Sequence, residues 1–350
     1  MNKCIVIDNH QIGASKPVFT IAEMSANHLM DYERAKKIML AAKQSGADAI
    51  KLQTYRPDTI TLDCRGEEFM ATKGSPWEGM NLYDLYKEAY TPWEWHKGLF
   101  EYAKEIGLTC FSSPFDLTAV DFLEELNTPA YKIASFEITD IPLIRKVAKT
   151  GKPIIISTGI AEIADIDLAL KTCRDNGNDN VILLKCVSEY PTPYSEMNLR
   201  TITNMRETFD CVVGLSDHSM GDTVDVAAVA LGACVIEKHL TLKREDGGPD
   251  GSFSMEPEEY REMVNSIRNV EQALGTVRYE LTDKQRNSRG RSRSLYVSKD
   301  IKKGDIFSPE NIKSIRPGYG LHTKYYDEIL GRKSACDLKK GTAMKWNYID

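Results

Sequence analysis

The sequence predicts an α/β fold, a (β/α)8 TIM barrel followed by a small C-terminal domain, and three observations carry this prediction. Eight short apolar runs rich in β-branched residues alternate with amphipathic stretches over about 270 residues. Polar residues collect where these runs end. After Leu281 the composition changes, and a basic stretch precedes a compact segment with glycine-containing turns.

The eight runs predict parallel strands that are buried on both faces, because several of them are continuously apolar and do not alternate. A doubly wound sheet is the main rival, but it would usually need fewer strands and would not predict polar residues at every strand end. The runs begin at Pro17, Ala47, Leu108, Ala130, Pro153, Val181, Cys211 and Cys234.

The stretches between the runs have the periodicity of helices with one buried face. Residues 32–45, for example, repeat small and aliphatic residues at three- and four-residue spacing. Thr91-Pro92 predicts a helix start, with threonine as the N-cap and proline at the first helical position. The predicted helices cover 32–45, 92–106, 117–126, 141–150, 162–176, 198–209, 222–231 and 257–274.

Two connections are longer than the short loops of a compact barrel. Residues 55–90 follow the second strand and contain several aromatic residues. Residues 243–255 follow the eighth strand and contain the sequence EDGGPDG. Long loops in compact domains are usually lids or binding loops, so we expect both connections to lie over the mouth of the barrel.

The chain is predicted to contain two domains. Residues 1–283 form the barrel domain, with an N-terminal hairpin over 1–16, and residues 295–350 form the small domain. Residues 284–294 are predicted to be a linker, because QRNSRGRSRS within them carries four arginines and no acidic residue. A domain of roughly 55 residues is near the minimum for independent folding, so we expect it to dock on a larger surface.

The net charge of −6 conceals an asymmetry between these domains. Residues 284–350 hold 16 Lys and Arg against 7 Asp and Glu, a charge of +9, which leaves −15 for residues 1–283. The opposite charges favour docking of the small domain on a barrel, which we expect to occur across a homodimer. The overall acidity argues against a nucleic-acid partner, although the arginines of 286–293 leave that as a minor alternative.

The sequence predicts a reduced, cytoplasmic protein. No apolar run approaches the roughly 20 residues that cross a bilayer, and the first residues lack the apolar core of a signal peptide. The eight cysteines are scattered and form no Cys-x-x-Cys pair. This pattern predicts neither a disulfide framework nor a thiolate zinc site.

Polar residues at the ends of all eight strands predict an active site, because a barrel carries its catalytic residues at the carboxyl ends of its strands. A polar strand end that simply reaches solvent is the alternative at any single position. The residues are Glu23, Asn27, His28, Lys51, Gln53, Ser112, Ser113, Lys132, Ser135, Glu137, Ser157, Thr158, Lys185, Ser188, Tyr190, Ser216, Asp217, His218, Glu237, Lys238 and His239.

His218 and His239 end the seventh and eighth strands, which are neighbours in a barrel. Two neutral imidazoles at this distance could share one divalent metal, with water or substrate oxygen completing its shell. Such a metal could polarise a carbonyl group. Asp217 and Glu237 flank the histidines as further candidates. The alternative is two ordinary strand-end histidines.

Lys51 and Lys132 are cations inside an otherwise apolar barrel, and an isolated buried charge is costly. Their natural partner is an anionic ligand, and serine hydroxyls on the same ring of strand ends could donate to it. Salt bridges to Glu23 or Asp217 are the alternative. Glu23 is also a candidate general base.

The motifs AEMSANH, DAIKLQTY, CFSSPF, YKIASFE, GLSDHS, ALGACVIEKH and IRPGYGL resemble the sialic acid synthase family over nearly the whole chain. The C-terminal part resembles its SAF domain, also called antifreeze-like, which has a β-clip fold. Within the family, SANH and the segment WEGMNLYDLYKEAYTPWEWH are similar to pseudaminic acid synthases and depart from the N-acetylneuraminate pattern.

The resemblance implies a role for each matched position, although Ser113 and Ser188 replace a more common threonine and asparagine. Glu23, Lys51, Lys132 and His239 are implied to be catalytic, and His218 and His239 to bind Mn²⁺ or Mg²⁺, with Co²⁺ as a further candidate. Phosphoenolpyruvate is implied to contact Lys51, Ser113, Lys132, Ser135, Ser157, Ser188 and Ser216. The sugar is implied to contact Glu137, Tyr190, Asp250 and Arg316, the last delivered by the SAF domain of a partner subunit.

The implied reaction is the metal-dependent condensation of phosphoenolpyruvate with 2,4-diacetamido-2,4,6-trideoxy-L-altrose and water, which releases phosphate. Synthesis of N-acetylneuraminic or legionaminic acid from another acetamido sugar is the nearest alternative. A binding protein with an inactive barrel is a second alternative, but the intact lysines, serines and histidines argue against it.

Overall fold

The computed structural model describes residues 3–350 and contains a closed barrel of eight parallel strands, which confirms the predicted fold class. Each strand pairs with its neighbours in chain order, and the last strand closes the barrel against the first. The barrel strands are β3 (Phe19–Glu23), β4 (Ala49–Thr54), β5 (Thr109–Pro114), β6 (Tyr131–Ile133), β7 (Ile154–Ser157), β8 (Val181–Cys186), β9 (Val212–Asp217) and β10 (Val235–His239).

The helices that surround the barrel begin and end within two residues of the predicted positions. Two short helices, α2 (Pro57–Ile60) and α3 (Leu82–Ala89), lie inside the long connection after β4 and were not predicted. The others are α1 (Tyr32–Gln44), α4 (Trp93–Glu105), α5 (Leu117–Glu125), α6 (Ile141–Ala148), α7 (Ile163–Asp175), α8 (Arg200–Phe209), α9 (Thr223–Ala230) and α10 (Pro257–Leu274).

The start of α4 differs from the prediction. Pro92 is the N-cap of this helix, and Trp93 is its first residue. Thr91 is buried, and its hydroxyl lies 3.3 Å from Nε2 of His28. The threonine therefore serves a buried tertiary contact, and the helix has no side-chain N-cap.

Alternate residues of each strand face the inside of the barrel, and this alternation positions the site. Phe19 and Ile21 of β3 belong to the interior apolar cluster, together with Phe111 and Ile155. The hairpin of β1 (Ile5–Ile7) and β2 (His10–Ile12) packs its isoleucines on the same cluster. Because that cluster consists of residues near the strand starts, the hairpin closes the end opposite the mouth.

The chain divides into two compact units, one ending at Gly275 and the other comprising Thr276–Asp350. The second unit has its own apolar core and contains α11 (Asp283–Arg289), β11 (Ser294–Val297), β12 (Ile312–Ile315) and α12 (Tyr326–Ile329). Helix α11 occupies much of the predicted linker. It forms because Thr282 and Gln285 cap each other's backbone N–H groups, at 3.2 and 2.8 Å. Among residues 3–350, no helix is long and apolar enough to span a membrane.

Two buried histidines, His28 and His96, pack outside the barrel wall. His96 Nδ1 lies 3.1 Å from the carbonyl oxygen of Pro92 and must donate to it, so Nε2 accepts from the hydroxyl of Thr54 at 2.8 Å. Burial lowers the pKa of each histidine to about 4. Both rings are therefore neutral in the folded protein at pH 7.

We expect these histidines to make the protein acid-sensitive. Between about pH 6.5 and pH 4, both histidines are protonated in the unfolded chain but remain neutral in the folded chain. The free energy of unfolding therefore falls as the pH falls. From pH 7.5 to pH 5 the loss is about 2 kcal/mol for each histidine. Urea unfolding of wild type and His96→Gln should show the variant less stable at pH 7.5, with a smaller gap at pH 5. A gap that is independent of pH would contradict this assignment.

Candidate active site

The inward-facing residues at the ends of the strands line a cavity of about 950 Å³ at the mouth of the barrel. Side chains along a strand alternate between its two faces, and this explains their positions. Glu23 lies two residues after inward-facing Ile21, and His239 lies two and four residues after inward-facing Glu237 and Val235. The predicted site residues that line the cavity are Glu23, Lys51, Lys132, Ser135, Glu137, Ser157, Ser188, Tyr190, Ser216, His218, His239 and Asp250.

Two of the residues that the resemblance assigns to substrate contacts do not line this cavity. Ser113 is fully buried, and its hydroxyl accepts a hydrogen bond of 3.4 Å from Lys51. It can therefore orient the lysine. Arg316 is exposed and lies in the second unit, directly after β12.

Four buried charges form a cluster at the base of the cavity. Lys51 Nζ lies 2.6 Å from Glu23 and 3.6 Å from Glu237, and Lys132 Nζ lies 3.7 Å from Glu237. Ser216 donates to Glu237 at 3.1 Å. Burial alone would lower the pKa of Lys51, but the two glutamates outweigh burial and raise it. Lys51 is therefore charged and well compensated.

Lys132 is less well compensated. Its ammonium donates to the carbonyl oxygen of Ile133 at 3.2 Å, and within the described part of the chain its one ion pair is the longer contact with Glu237, at 3.7 Å. Burial lowers its pKa, since the attraction of Glu237 does not fully offset desolvation. The hydroxyl oxygens of Ser157 and Ser188 are buried and have no hydrogen-bond partner among residues 3–350. A cation and free hydroxyl donors in one cavity suit a multiply charged anion.

The two predicted metal ligands lie side by side, with ring centroids 5.4 Å apart. His218 Nδ1 lies 2.9 Å from the carbonyl oxygen of Val187, which fixes Nδ1 as the donor and leaves Nε2 for another partner. His239 Nδ1 is buried and has no partner within residues 3–350. Burial, and then the charge of His218, hold the pKa of His239 well below its usual value. These rings fit a divalent metal.

Cys186 lies beside this pair, with its Sγ 3.9 Å from His218 Nδ1. Burial would raise the pKa of this thiol, but His218 outweighs burial and lowers it to about 7. Burial likewise lowers the pKa of His218, but Cys186 outweighs it and raises that pKa. A metal and a proton would therefore compete for His218 Nε2. Within residues 3–350 no group of three or more His, Cys, Asp or Glu side chains is placed to hold a metal ion, so the two histidines are the protein ligands that the site offers.

Both long connections line the cavity. The indole N–H of Trp77, in the first connection, donates to the carbonyl oxygen of Pro249 in the second at 2.9 Å. The Trp77 ring also packs on Tyr190 with centroids 5.6 Å apart, and Tyr190 packs on His218 at 4.3 Å. This contact series links the first connection to the candidate metal ligands.

Several of the predicted strand-end residues do not line the cavity, among them Asn27, Ser112 and Thr158. Lys185 and Lys238 alternate with inward-facing residues and point to the outer face of the barrel, as does Asp217. Asp217 forms an ion pair with Lys238, so it is neither a metal ligand candidate nor a partner of Lys51. Of the two salt-bridge partners considered for the inward-facing lysines, Glu23 and Asp217, Glu23 does form an ion pair with Lys51. His28 also lies outside the cavity.

Two further residues join the site through a hydrogen-bonded series. The Gln53 side chain donates to Glu23 at 3.0 Å and to Ser25 at 2.9 Å, and Ser25 donates to Asp250. Gln53 is one of the predicted strand-end residues, and it faces inward like Lys51, two residues before it on β4. Nothing in the sequence pattern marked Ser25 or Cys186 as neighbours of the site.

The chain is similar to known proteins over nearly its whole length. It is 48% identical to the pseudaminic acid synthase of Campylobacter jejuni, covering 96% of this chain and 98% of that protein. It is 38% identical to the N,N'-diacetyllegionaminic acid synthase of the same bacterium, covering 93% and 98%. The solved structure of the spore coat polysaccharide biosynthesis protein SpsE of Bacillus subtilis matches with a TM-score of 0.68 and 32% identity, over 99% of both chains.

Family models match both parts of the chain. The NeuB family model matches residues 38–279, which contain most of the barrel. The SAF domain model matches residues 292–349, which lie in the second unit. The chain therefore belongs to the NeuB family and carries a SAF domain at its C-terminal end.

Proposed function

We propose that this protein is a pseudaminic acid synthase. It condenses phosphoenolpyruvate with 2,4-diacetamido-2,4,6-trideoxy-L-altrose and water to give pseudaminic acid and phosphate. The observation that carries this proposal is one cavity that contains two buried lysines, Lys51 and Lys132, and two adjacent imidazoles, His218 and His239. A site for a phosphorylated acid and a site for a carbonyl-activating metal are thus side by side.

The lysine side of the cavity binds phosphoenolpyruvate. Lys132 and Lys51 hold its negative charges, and the hydroxyls of Ser157 and Ser188, which have no partner among the described residues, donate to its oxygens. Ser135 and Ser216 line the same wall. These contacts hold the alkene carbon of phosphoenolpyruvate next to the aldehyde carbon of the sugar. The reaction then proceeds between two reactants that are already in place, which lowers its entropic cost.

The histidine side holds a divalent cation, Mn²⁺ or Mg²⁺, with Co²⁺ as a further candidate. When bound, such an ion would polarise the aldehyde oxygen of the open-chain sugar. His218 and His239 fix its position, and the hydrogen bond from His218 to Val187 orients the first ring. The Trp77 ring packs on Tyr190 and Tyr190 packs on His218, so aromatic rings line this side of the cavity.

Glutamates supply the proton transfers. Glu23 lies within the charge cluster, and burial raises its pKa. Glu137 lines the cavity, and burial raises its pKa to about 7 against the smaller opposing effect of Lys132. With a pKa near 7, the carboxyl group of Glu137 can donate or accept a hydrogen bond with the sugar at neutral pH, while Glu23 exchanges the proton with the reacting groups. We assign the main proton transfer to Glu23 and contact with the sugar to Glu137, Tyr190 and Asp250.

The sugar assignment rests on the apolar wall of the cavity. Leu85, Tyr86 and Trp77 of the first connection line it, together with Tyr55 and Phe115. This surface suits a deoxy sugar with acetamido groups better than a sugar rich in hydroxyls. The higher identity to a pseudaminic acid synthase than to a legionaminic acid synthase supports the same choice.

We also propose that the protein acts as a homodimer in the cytoplasm, with Arg316 of one subunit reaching the barrel of the other. Exposed apolar side chains on loops after four adjacent barrel strands support a docking surface: Phe136, Ile160, Tyr194 and Met220. The charges of −15 and +9 on residues 1–283 and 284–350 favour the same contact. The scattered cysteines, which form no Cys-x-x-Cys pair, support a reducing compartment.

Phosphate release with a panel of sugars tests the proposed reaction. We expect the purified protein with Mn²⁺ and phosphoenolpyruvate to release phosphate with 2,4-diacetamido-2,4,6-trideoxy-L-altrose at a kcat/KM at least tenfold above that for the legionaminic acid precursor or N-acetylmannosamine. A tenfold preference corresponds to about 1.4 kcal/mol, within reach of one apolar contact. Preference for another sugar would reassign the substrate, and no sugar-dependent release would indicate an inactive barrel.

A further inference from the structure

We propose that Lys238 is a positioning residue that sets the spacing of His218 and His239 from the outer face of the barrel. The inference rests on the proposed metal site, and it assigns a role to a buried charge cluster outside the cavity. Lys238 precedes His239, and Asp217 precedes His218. Lys238 and Asp217 are directly paired across β10 and β9.

The geometry of this cluster is specific. Lys238 Nζ forms an ion pair with Asp217 and lies 3.2 Å from Asp225 of α9. It also donates to the backbone carbonyl oxygens of Ser219 and Gly221, at 2.9 and 2.7 Å. The side chains of Lys238, Asp217 and Asp225 are at most 2% exposed. One ammonium therefore contacts the neighbouring strand, the following loop and the following helix.

Asp217 strengthens the same arrangement from the other side. Its carboxylate accepts from the backbone N–H and from the hydroxyl of Ser219, both at 2.9 Å. His218 therefore stands between two residues, Asp217 and Ser219, that are both tied to Lys238. Both neighbours of His218 are thus held by Lys238, which directly precedes His239.

A purely stabilising role does not explain the cluster. A buried ion pair offers little net stability, because desolvation of its charges offsets their attraction, and well-packed apolar residues often stabilise as much. The cluster instead provides fixed distances: contacts across two strands one residue before the histidines restrict the separation of the rings, now 5.4 Å between centroids. A metal that binds both rings requires that separation to be maintained.

Direct measurement of Mn²⁺ binding tests the inference without relying on turnover. Free Mn²⁺ is titrated against the full-length protein by electron paramagnetic resonance, for wild type, Lys238→Met and a control, Lys185→Met. Lys185 also faces outward, one residue before the end of β8, but among residues 3–350 its ammonium donates only to the carbonyl oxygen of Cys186, at 2.8 Å. We expect Lys238→Met to weaken Mn²⁺ binding about tenfold to a hundredfold, and the control to change it less than about twofold.

A second variant keeps the test decisive if Lys238→Met does not fold. Lys238→Gln combined with Asp225→Asn replaces both side chains by neutral amides, so no buried carboxyl group of α9 is left facing a missing ammonium, while the shorter side chain loses the loop carbonyls. We expect this folded variant to bind Mn²⁺ at least about tenfold more weakly than wild type. Wild-type affinity in the folded variants would overturn the role of Lys238 alone. Failure of wild type to bind Mn²⁺ would overturn the proposed metal site as well.

Discussion

Replacement of His239 by alanine is expected to lower kcat/KM for the condensation by roughly three orders of magnitude, because a metal that polarises a carbonyl contributes several kcal/mol to the barrier. The fold should survive. The His239 ring makes no hydrogen bond through Nδ1 to residues 3–350, and burial already keeps it neutral. Isothermal titration with Mn²⁺ and the rate of phosphate release measure the two expected losses.

His96→Gln is the matched control for this experiment. His96 is also a buried, neutral histidine, but it packs against Thr54 and Pro92 outside the cavity. The control should keep Mn²⁺ binding and turnover at pH 7.5 while changing the acid sensitivity of the fold. Undiminished turnover in His239→Ala would contradict the metal assignment.

The fold was predictable because its signals are local and repeated. Runs such as the one that becomes β7 (Ile154–Ser157) are apolar up to their last residue, and the helices between strands have one apolar face. Eight such units in succession leave few architectures other than a closed barrel. The predicted helix bounds were accurate because caps, glycines and prolines mark the ends of most of these helices.

Whether an individual side chain faces into or out of the barrel was harder to predict, because the strands are apolar on both faces. In a strand buried on both faces, apolar residues occupy inward and outward positions alike, so the sequence does not reveal which lysines face the cavity. Lys51 and Lys132 face inward, whereas Lys185 and Lys238 face outward. Pairing across the sheet resolves the question, because Glu237 aligns with Ser216, and Lys238 with Asp217.

Contacts that depend on loops were not predictable from periodicity. Ser25 reaches Asp250 although the two residues are 225 positions apart, and Trp77 reaches Pro249 over 172 positions. The second contact joins the two long connections, and the first joins the loop after β3 to the connection after β10. A sequence pattern can indicate that a loop is long enough to cover the site, but not which atoms meet there.

The two inward-facing lysines are expected to respond differently to the same substitution, because only one of them is well compensated. Lys51→Met should lower the free energy of unfolding by about 3–5 kcal/mol, since it leaves Glu23 with only Gln53 as a donor in the charge cluster. Lys132→Met should change it by less than about 1 kcal/mol, because burial already disfavours the charge on that lysine and lowers its pKa. Urea unfolding measures both.

Phosphoenolpyruvate turnover should nevertheless fall in both variants, by roughly three orders of magnitude, because each loses a cation that holds the anion in the transition state. The Lys51→Met stability deficit should also shrink as the pH falls, since protonation removes the isolated charge of Glu23, whose pKa burial already raises. Wild-type and variant chains share the acid-sensitive histidines, so that effect cancels in the difference. Equal destabilisation by the two substitutions would show that Lys132 is a structural cation, and the anion site would then have to lie elsewhere in the cavity.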